Sequence, residues 1–296
     1  MRCLRLAASA AILLAPLSAQ TPQTAKPPAR AAQRTGAGQP SAEMQKLTAA
    51  MNADLILRAS IEELTRARDL RLMNDPPYFV EIGVEDARTF SVSASFGAAY
   101  DFRENHFRPV RAAVRVGRAD FDNTGSVYSD YYSGTRYDSD LLPLDANLTN
   151  LRGALWLTLD RAYKTAVEGL GRKTAALRGV TIQERLPDFS SAPPTVLLDI
   201  VKPVAVDKDL WTRRVRSLSA LFKSSPQVSG SVVEFQSAQG TSYYVNSDGS
   251  SVRVGDQIAY VQARGSRQAS DGLVVYDGAT IVALSPRPRM TSFASS

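Results

Sequence analysis

An alternation of apolar and polar residues in three segments is the feature that most constrains the fold. Even-numbered positions are apolar from Val80 to Val84, from Phe90 to Phe96 and from Val110 to Val116, and most positions between them are polar or small. A period of two residues is typical of antiparallel strands with one face on a core and the other in water. We therefore predict three strands, with a tight turn at Asp86–Ala87 and a loop before Val110.

Three other segments have the apolar period of amphipathic helices. The first is predicted to run as one helix over about residues 43–70, with Ser41 as its N-cap. The second begins near Asp145 and ends before Gly179. The third is capped by Asp207 and ended by Pro226.

The remainder of the chain is again rich in strand signals. We predict a short strand over residues 195–201 and further short strands at 228–235, 242–245, 252–254, 258–263 and 273–284. The segments Asn246–Gly249 and Asp277–Gly278 are predicted hairpin turns. The order helix, sheet, helix, helix, sheet predicts an α+β fold, with long amphipathic helices packed on antiparallel sheets. Whether the two sheet regions share one core stays open at this point.

The first 42 residues have the pattern of an export signal followed by a tether. Arg2 and Arg5 precede a short apolar run, Leu6 to Leu14, and small residues follow up to Ala19, as in a cleavable signal peptide. An uncleaved membrane anchor is the alternative, although the run is short for a bilayer span. Residues 20–42 are rich in Pro and Ala and are predicted to be a disordered linker. We thus expect a periplasmic or secreted protein with a folded domain over 43–284, an unstructured tail over 285–296 and no transmembrane segment in the mature chain.

Charge excludes one broad class of function. The whole chain has a formal net charge of +6, and five of its cations lie within the first 42 residues, which contain no acid. The folded part is therefore nearly neutral, whereas a nucleic-acid-binding domain is expected to have a basic face. The three linker cations could still hold the tether near an anionic lipid or cell-wall polymer.

The sequence lacks the usual ligands of a catalytic zinc ion. Its only cysteine, Cys3, lies in the predicted signal, and its only histidine is His106. Catalytic zinc takes about three protein ligands, dominated by His and Cys, so we predict no metal cofactor and no catalytic residue in this chain. No Ser elbow motif offers His106 a nucleophile, and we expect it to be a surface or strand-entry histidine.

Acidic residues leave two alternatives open. Asp120, Asp122, Asn123 and Gly125 resemble the beginning of a calcium loop, but the twelfth position is Tyr131 rather than an acid. An irregular oxygen site that also uses nearby aspartates (Asp130, Asp138 and Asp140) remains possible in sequence terms. Two carboxylates brought together would also suffice for a carboxylate-based hydrolase, although no pair stands out.

Tyrosines mark the one candidate binding surface. Four of them, Tyr128, Tyr131, Tyr132 and Tyr137, lie in the Ser- and Asp-rich segment 119–140, which is predicted to be a long surface loop. Tyrosine provides a large contact area at a small entropic cost, so the loop could bind a partner. The alternative is a loop folded back on its own domain.

Several segments together resemble one known family. They are Pro76–Glu81 with Val84–Asp86, Val114–Gly117 leading into Asp120–Asn123, Leu142–Asp145, Ala154–Trp156, Ala162–Lys164, Ser191–Pro194 and Tyr244–Gly249. Their order and spacing resemble the N-terminal domain of exported TldD/PmbA-type metallopeptidases, once described as modulators of DNA gyrase. The resemblance covers about residues 44–284.

The resemblance implies an α+β domain that precedes a zinc-binding C-terminal half. The family's H-E-x-x-x-H helix has no counterpart at any position of this sequence, so zinc is expected only in that other half. The family's enzymes resemble caged dimers that admit peptides or unfolded segments. We therefore expect a peptide-binding or dimer-building domain, inactive alone, that can pair with a TldD/PmbA-like subunit. A non-catalytic binding or scaffold protein that uses the tyrosine-rich loop is the alternative.

Overall fold

The structure is a computed structural model that describes residues 42–72, 76–125, 135–136, 140–145, 147–180 and 186–283. These residues belong to one compact unit. The predicted signal peptide, Ser41, nearly all of the predicted linker and the predicted tail lie outside them. None of the described helices is long and apolar enough to cross a membrane.

The described residues form an α+β fold, as predicted. In chain order the elements are α1 (Ala42–Ala53), α2 (Leu55–Ala67), β1 (Pro77–Ser95), β2 (Ala98–Phe107), β3 (Val110–Arg118), β4 (Phe121–Asp122), β5 (Thr135–Arg136), α3 (Leu148–Ala176), β6 (Val196–Leu198), α4 (Lys208–Ala220), β7 (Gly230–Asn246), β8 (Ser251–Gln268) and β9 (Val274–Ala283).

Three long antiparallel strands, β1, β7 and β8, form the centre of a single sheet. Along the outer edge of β1, β3 pairs with the first half of the strand and β2 with the second half. Along the outer edge of β8, β6 pairs in parallel with residues 251–253, and β9 pairs in antiparallel fashion with residues 259–268. Both sheet regions predicted from the sequence therefore belong to one sheet.

Two separate hydrophobic clusters lie on the helix-covered face of this sheet. The first packs α2 and α3 against β1 and β3, with Leu57, Ile82 and Leu155 almost fully buried. The second packs α4 against the other half of the sheet, where the ring of Trp211 stacks on Phe235 at 3.9 Å and an interplanar angle of 6°. The sheet is thus continuous, but its apolar core is divided.

The predicted turn at Asp86–Ala87 is wrong, because both residues lie within β1. Asp86 pairs with Thr241, and Ala87 pairs with Gly240 on one side and Phe107 on the other. The apolar residues keep the same even-numbered phase on both sides of this point, which is what one continuous strand requires.

The predicted loop before Val110 is also wrong, since most of it forms β2. The chain reverses at Phe96 and Gly97, which have φ values of 45° and 83°. Most β2 side chains are exposed. The strand therefore lacks the apolar alternation that marks a half-buried strand.

Asp54 divides the first predicted helix into α1 and α2. Its backbone is extended (φ −136°, ψ 105°), and its Oδ1 accepts hydrogen bonds from the amides of Ile56 (3.0 Å) and Leu57 (3.2 Å). An aspartate in this position caps a new helix. The second predicted helix is α3, capped by Asn147. Asp207 caps α4 as predicted, through the amide of Leu210 at 2.8 Å.

β7 and β8 are longer than predicted, because each joins two short predicted strands, 228–235 with 242–245 and 252–254 with 258–263. β9 corresponds to the predicted strand 273–284. The predicted hairpin at Asn246–Gly249 is confirmed as the β7–β8 turn. The predicted turn at Asp277–Gly278 is wrong, since both residues lie within β9. Gly278 is required there for close packing, as a Cβ atom would lie 2.6 Å from the carbonyl oxygen of Ala263.

Candidate functional site

A belt of polar residues crosses the helix-covered face of the sheet between the two hydrophobic clusters. It consists of two cross-strand rows on β1, β7 and β8, and residues directly opposite each other in such rows share a face. The first row is Asp86, Thr241 and Gly255; the second is Arg88, Gln239 and Gln257, with His106 of β2 opposite Arg88. We call these residues the polar belt.

Asp86 provides the carboxylate of the belt, and two basic side chains hold it in place. Its Oδ1 lies 2.5 Å from Nε2 of His106 and 3.1 Å from Nε of Arg108. Arg108 is itself buried and donates from Nη1 to the carbonyl oxygen of Pro143 at 2.7 Å. Partial burial opposes ionisation of Asp86, but its interactions with Arg108 and His106 outweigh this effect and lower the pKa of the carboxyl group.

An open cleft of about 500 Å³ lies over the belt. Residues 199–203, between β6 and α4, form one wall of this cleft. The segment is held by the amide of Val204, which donates to Oε1 of Gln239 at 2.9 Å. It also packs closely on Gly255, where a Cβ atom would lie 3.0 Å from Cγ1 of Val201. The sheet therefore supplies a rigid floor, and a short extended segment supplies the wall.

The cleft presents charges of both signs. Arg88, Lys202, Asp199 and Asp256 all line it and are exposed. None of these four side chains has an ion-pair partner among the described residues. Ile200, also in the lining, is 82% exposed and adds an apolar surface. A ligand with mixed charge and some apolar surface would complement this lining.

These residues do not fit a zinc ion. The imidazole Nε2 of His106 is already in contact with Asp86, and the guanidinium of Arg108 shares the same carboxylate oxygen. A permanent cation so close to the carboxylate disfavours a metal ion there. Within the described ranges, no group of three or more His, Cys, Asp or Glu side chains is placed to hold a metal.

The residues that resemble the beginning of a calcium loop hold the fold together in the structure. Asp122 is completely buried and accepts hydrogen bonds from Tyr78 (2.6 Å), Arg115 (2.7 Å) and Thr124. Burial opposes its ionisation, but these hydrogen bonds outweigh burial and lower the pKa of Asp122. The side chain of Asn123 forms hydrogen bonds with two backbone groups of β3, one of Val114 and one of Val116. We call Tyr78, Arg115, Asp122 and Thr124 the Asp122 network. Asp130 and Asp138 lie outside the described residues.

Several of the segments that resemble the TldD/PmbA family meet around this network at one end of the sheet. The first residues of β1 pair with the end of β3, and Tyr78 reaches Asp122. On the other side of β1, Ser247 of the β7–β8 turn donates its amide to Val80 O at 2.8 Å and accepts from Val80 N at 3.0 Å. The resembling residues therefore connect strands far apart in sequence.

The tyrosines of the candidate binding surface lie outside the part of the chain that the structure describes. Tyr128, Tyr131, Tyr132 and Tyr137 lie outside the described residues, so their predicted role stays a prediction. His106, expected at the surface or at a strand entry, lies near the end of β2 and contacts Asp86.

The polar belt was not predicted, although the sequence contains a signal for it. Asp86 and Arg88 occupy even-numbered positions, the same phase as the apolar residues from Val80 to Ala94. Two polar residues on an otherwise apolar face indicate either a turn or a polar site on a continuous strand.

Replacing Asp86 with asparagine should remove a pH-dependent part of the stability. The folded-state pKa of Asp86 is lowered, so its ionised form stabilises the fold above the unfolded pKa of about 3.9, and this contribution is lost as the pH falls through the folded pKa. We expect Asp86→Asn to be less stable than the wild type near neutral pH, with a difference that shrinks in acid. Urea unfolding over a pH series measures this difference.

The matched control is Asp256→Asn, which changes an exposed carboxylate of the same cleft that has no ion-pair partner among the described side chains. A stability difference for Asp86→Asn that stayed constant at all pH values would contradict the electrostatic explanation and indicate a packing defect.

No family model and no curated protein sequence matches this chain. Solved structures similar to it include a proposed modulator of DNA gyrase from Thermotoga maritima (10% identity, TM-score 0.38, 70% of this chain and 40% of that one). TldE from Thermococcus kodakarensis is also similar (11% identity, TM-score 0.38, 79% of this chain and 42% of that one). A third is a proposed modulator of DNA gyrase from Bacteroides thetaiotaomicron (9% identity, TM-score 0.40, 83% of this chain and 46% of that one). The chain spans less than half the length of each of these three structures.

Proposed function

We propose that this chain is an exported, peptide-binding domain of the type that forms the N-terminal part of TldD/PmbA metallopeptidases, with no catalytic metal site of its own. The observation that carries the proposal is the open cleft over the polar belt. Support for the family comes from the resembling segments, several of which meet at one end of the sheet. The zinc site and the peptidase activity would belong to a separate C-terminal half or a partner subunit.

The lining of the cleft suits a polypeptide better than a polyanion. Arg88 and Lys202 could bind carboxylates, whereas Asp199 and Asp256 could bind amino groups or lysine side chains. A nucleic-acid phosphate would meet three carboxylates in the same lining, those of Asp86, Asp199 and Asp256. Ile200 offers an apolar contact to a bound side chain. Unfolded or extended peptide segments have all of these groups.

Replacing Arg88 and Lys202 together with alanine should weaken peptide binding by about tenfold or more, because each side chain could make one charge-assisted hydrogen bond to the ligand. The probe is a set of fluorescein-labelled peptides from unfolded casein, and fluorescence anisotropy gives Kd. Both side chains are exposed, so thermal melting should show little change in fold stability.

The control is Arg103→Ala together with Lys223→Ala, which removes two exposed cations outside the cleft lining. We expect the control to bind as the wild type does. Equal binding by the Arg88→Ala/Lys202→Ala variant and the wild type would contradict the cleft as the binding site. Loss of binding only on Tyr131→Ser/Tyr132→Ser would assign it to the tyrosine-rich segment.

Zinc content and casein cleavage by the purified chain test the non-catalytic part of the proposal. We expect neither stoichiometric zinc nor cleavage from the chain alone. Chelator-sensitive cleavage with one bound zinc ion per chain would overturn it.

A further inference from the structure

We propose that one corner of this domain lies against an anionic lipid bilayer, with its cations at the lipid headgroups and its apolar side chains in the interfacial layer. The corner is formed by the end of α4, the short 3-10 turn that continues it (Leu221–Ser224) and the β8–β9 hairpin. We call this surface the basic corner, and its members are Arg213, Arg216, Leu221, Lys223, Arg267, Leu273 and Val275. None of them lines the cleft over the polar belt, so the inference goes beyond the proposed peptide binding and does not depend on it.

Packing and hydrogen bonds fix the turn after α4 against the hairpin. The ring of Phe222 lies so close to β8 that a Cβ atom on Gly265 would be 3.0 Å from its Cε1. Arg267 of β8 donates from Nη1 to Oε1 of Gln227 at 3.0 Å, in the segment that leads from the turn to β7. Arg267 is also paired directly with Val275 of β9. The cations and apolar residues of the basic corner therefore belong to one rigid part of the fold.

Positive charge is concentrated in the basic corner. Residues 210–233 contain four arginine or lysine residues and no acid. The four cations of the basic corner, three of them from this segment, are exposed, and none has an ion-pair partner among the described side chains. Two acids lie in the hairpin, Asp271 and Asp277, and each already accepts a hydrogen bond from a backbone amide. The corner thus has four cations against two acids in a domain that is nearly neutral as a whole.

Exposed apolar side chains accompany these cations. Leu221 is 67% exposed and Leu273 is 64% exposed, and Val275 is 45% exposed. An open groove of about 630 Å³ lies between the turn and the hairpin, with Phe222 on one side and Val275 on the other. Apolar surface left in water at this density marks a contact with another protein or with a membrane.

The combination of charges and leucines favours a membrane over the other possible partners. A nucleic acid or an acidic polysaccharide would bind the cations but would leave Leu221 and Leu273 in water. The core of a protein–protein interface is usually depleted of lysine, whereas here Leu221 lies two residues from Lys223. An anionic bilayer attracts cations through its negative surface potential and accepts apolar side chains in its interfacial layer. It is therefore the partner that uses both features.

Vesicle flotation of the chain without residues 1–19 tests the proposal, because the apolar run of the predicted signal is then absent. We expect binding to vesicles of phosphatidylglycerol mixed with phosphatidylcholine, weaker binding at high salt, and little binding to phosphatidylcholine alone. Arg213→Gln/Lys223→Gln should weaken the binding by about tenfold or more, because each cation loses its attraction to the anionic surface. Leu221→Ser/Leu273→Ser should weaken it by about tenfold as well, through lost apolar burial.

Matched control variants change the same residue types elsewhere. Lys46→Gln/Arg178→Gln removes two exposed cations, and Leu144→Ser/Leu186→Ser removes two exposed leucines, all outside the basic corner. We expect both controls to bind vesicles as the unaltered chain does. All changed side chains are at least partly open to solvent, and thermal melting checks that each variant is folded.

A fluorescent label measures insertion separately from charge. The only cysteine, Cys3, is absent from this shortened chain, so Leu273→Cys supplies a single thiol for a polarity-sensitive dye. The emission of the dye should shift to the blue on anionic vesicles, whereas the same dye on Leu186→Cys should show no shift.

Three results would overturn the proposal. The first is a chain that does not bind anionic vesicles at low salt. The second is binding that both corner variants retain in full, since the contact would then lie in the linker or on another surface. The third is binding that depends on Arg213 and Lys223 but not on the leucines, with no shift of the dye at position 273, which would indicate a site for polyanions in general.

Discussion

Replacing Asp122 with alanine should lower the free energy of unfolding by about 3–5 kcal/mol, the usual cost of removing one partner from a buried charge pair. Asp122 is completely buried, and its loss would leave Arg115 without its carboxylate at 2.7 Å and Tyr78 without its acceptor. The amide and hydroxyl of Thr124 would lose their acceptor as well. Urea unfolding followed by circular dichroism measures the change.

Asp120→Ala is the matched control, two residues away. Asp120 is exposed and pairs with the exposed Arg118, and such surface pairs contribute about 0–1 kcal/mol. A loss of less than about 1 kcal/mol for Asp122→Ala would show that the network contributes no more than a surface pair. If calcium stabilised the wild type but not Asp122→Ala, Asp122 would instead be a metal ligand.

Replacing Phe235 with alanine should destabilise the fold by about 3–5 kcal/mol, as expected for a large aromatic side chain removed from a core. Phe235 is 1% exposed, stacks on Trp211 and contacts Phe90. Among the described elements, α4 covers most of the second cluster. Removing the Phe235 ring should therefore loosen α4 from the sheet. Trp211 lies at the contact, and we expect its fluorescence maximum to shift to the red.

The same change at Phe102 provides the comparison. Phe102 touches Phe90 edge to face at 5.1 Å but is 56% exposed. We expect Phe102→Ala to cost about 1 kcal/mol, because most of its surface stays in water in the folded state. Similar losses for Phe102→Ala and Phe235→Ala would contradict the described core.

The periodicity of the sequence predicted the fold class but misplaced the polar residues. The even-numbered apolar phase from Val80 to Ala94 predicts strand structure on both sides of Asp86. Asp86 and Ala87 suggest a turn by composition, although the structure keeps them in the strand, where Asp86 interacts with His106 and Arg108. Those partners are about 20 residues away in β2 and after it, a distance at which local pattern contains no information.

Other misplaced boundaries have the same origin. Asp54 begins a new helix because its side chain caps α2 while Oδ2 accepts from Tyr243 OH at 3.0 Å, and Tyr243 lies in β7. Gly278 follows an aspartate, as in many turns, yet it lies in mid-strand, paired with Arg264 of β8, and β8 leaves no room there for a Cβ atom. In both cases a distant strand decides the local structure, so short-range propensity was insufficient.

The placement of β1 between β3 and β7 has a consequence for the order in which this chain can fold. β1 and β3 emerge early in synthesis, but the other neighbour of β1 comes more than a hundred residues later, with Glu81 opposite Asn246. Pairings so distant in sequence form slowly, because a long loop must close first. Until β7 has been made, one edge of β1 is open to any other extended strand. The newly made N-terminal half therefore depends on being kept from premature pairing until the last third of the chain arrives.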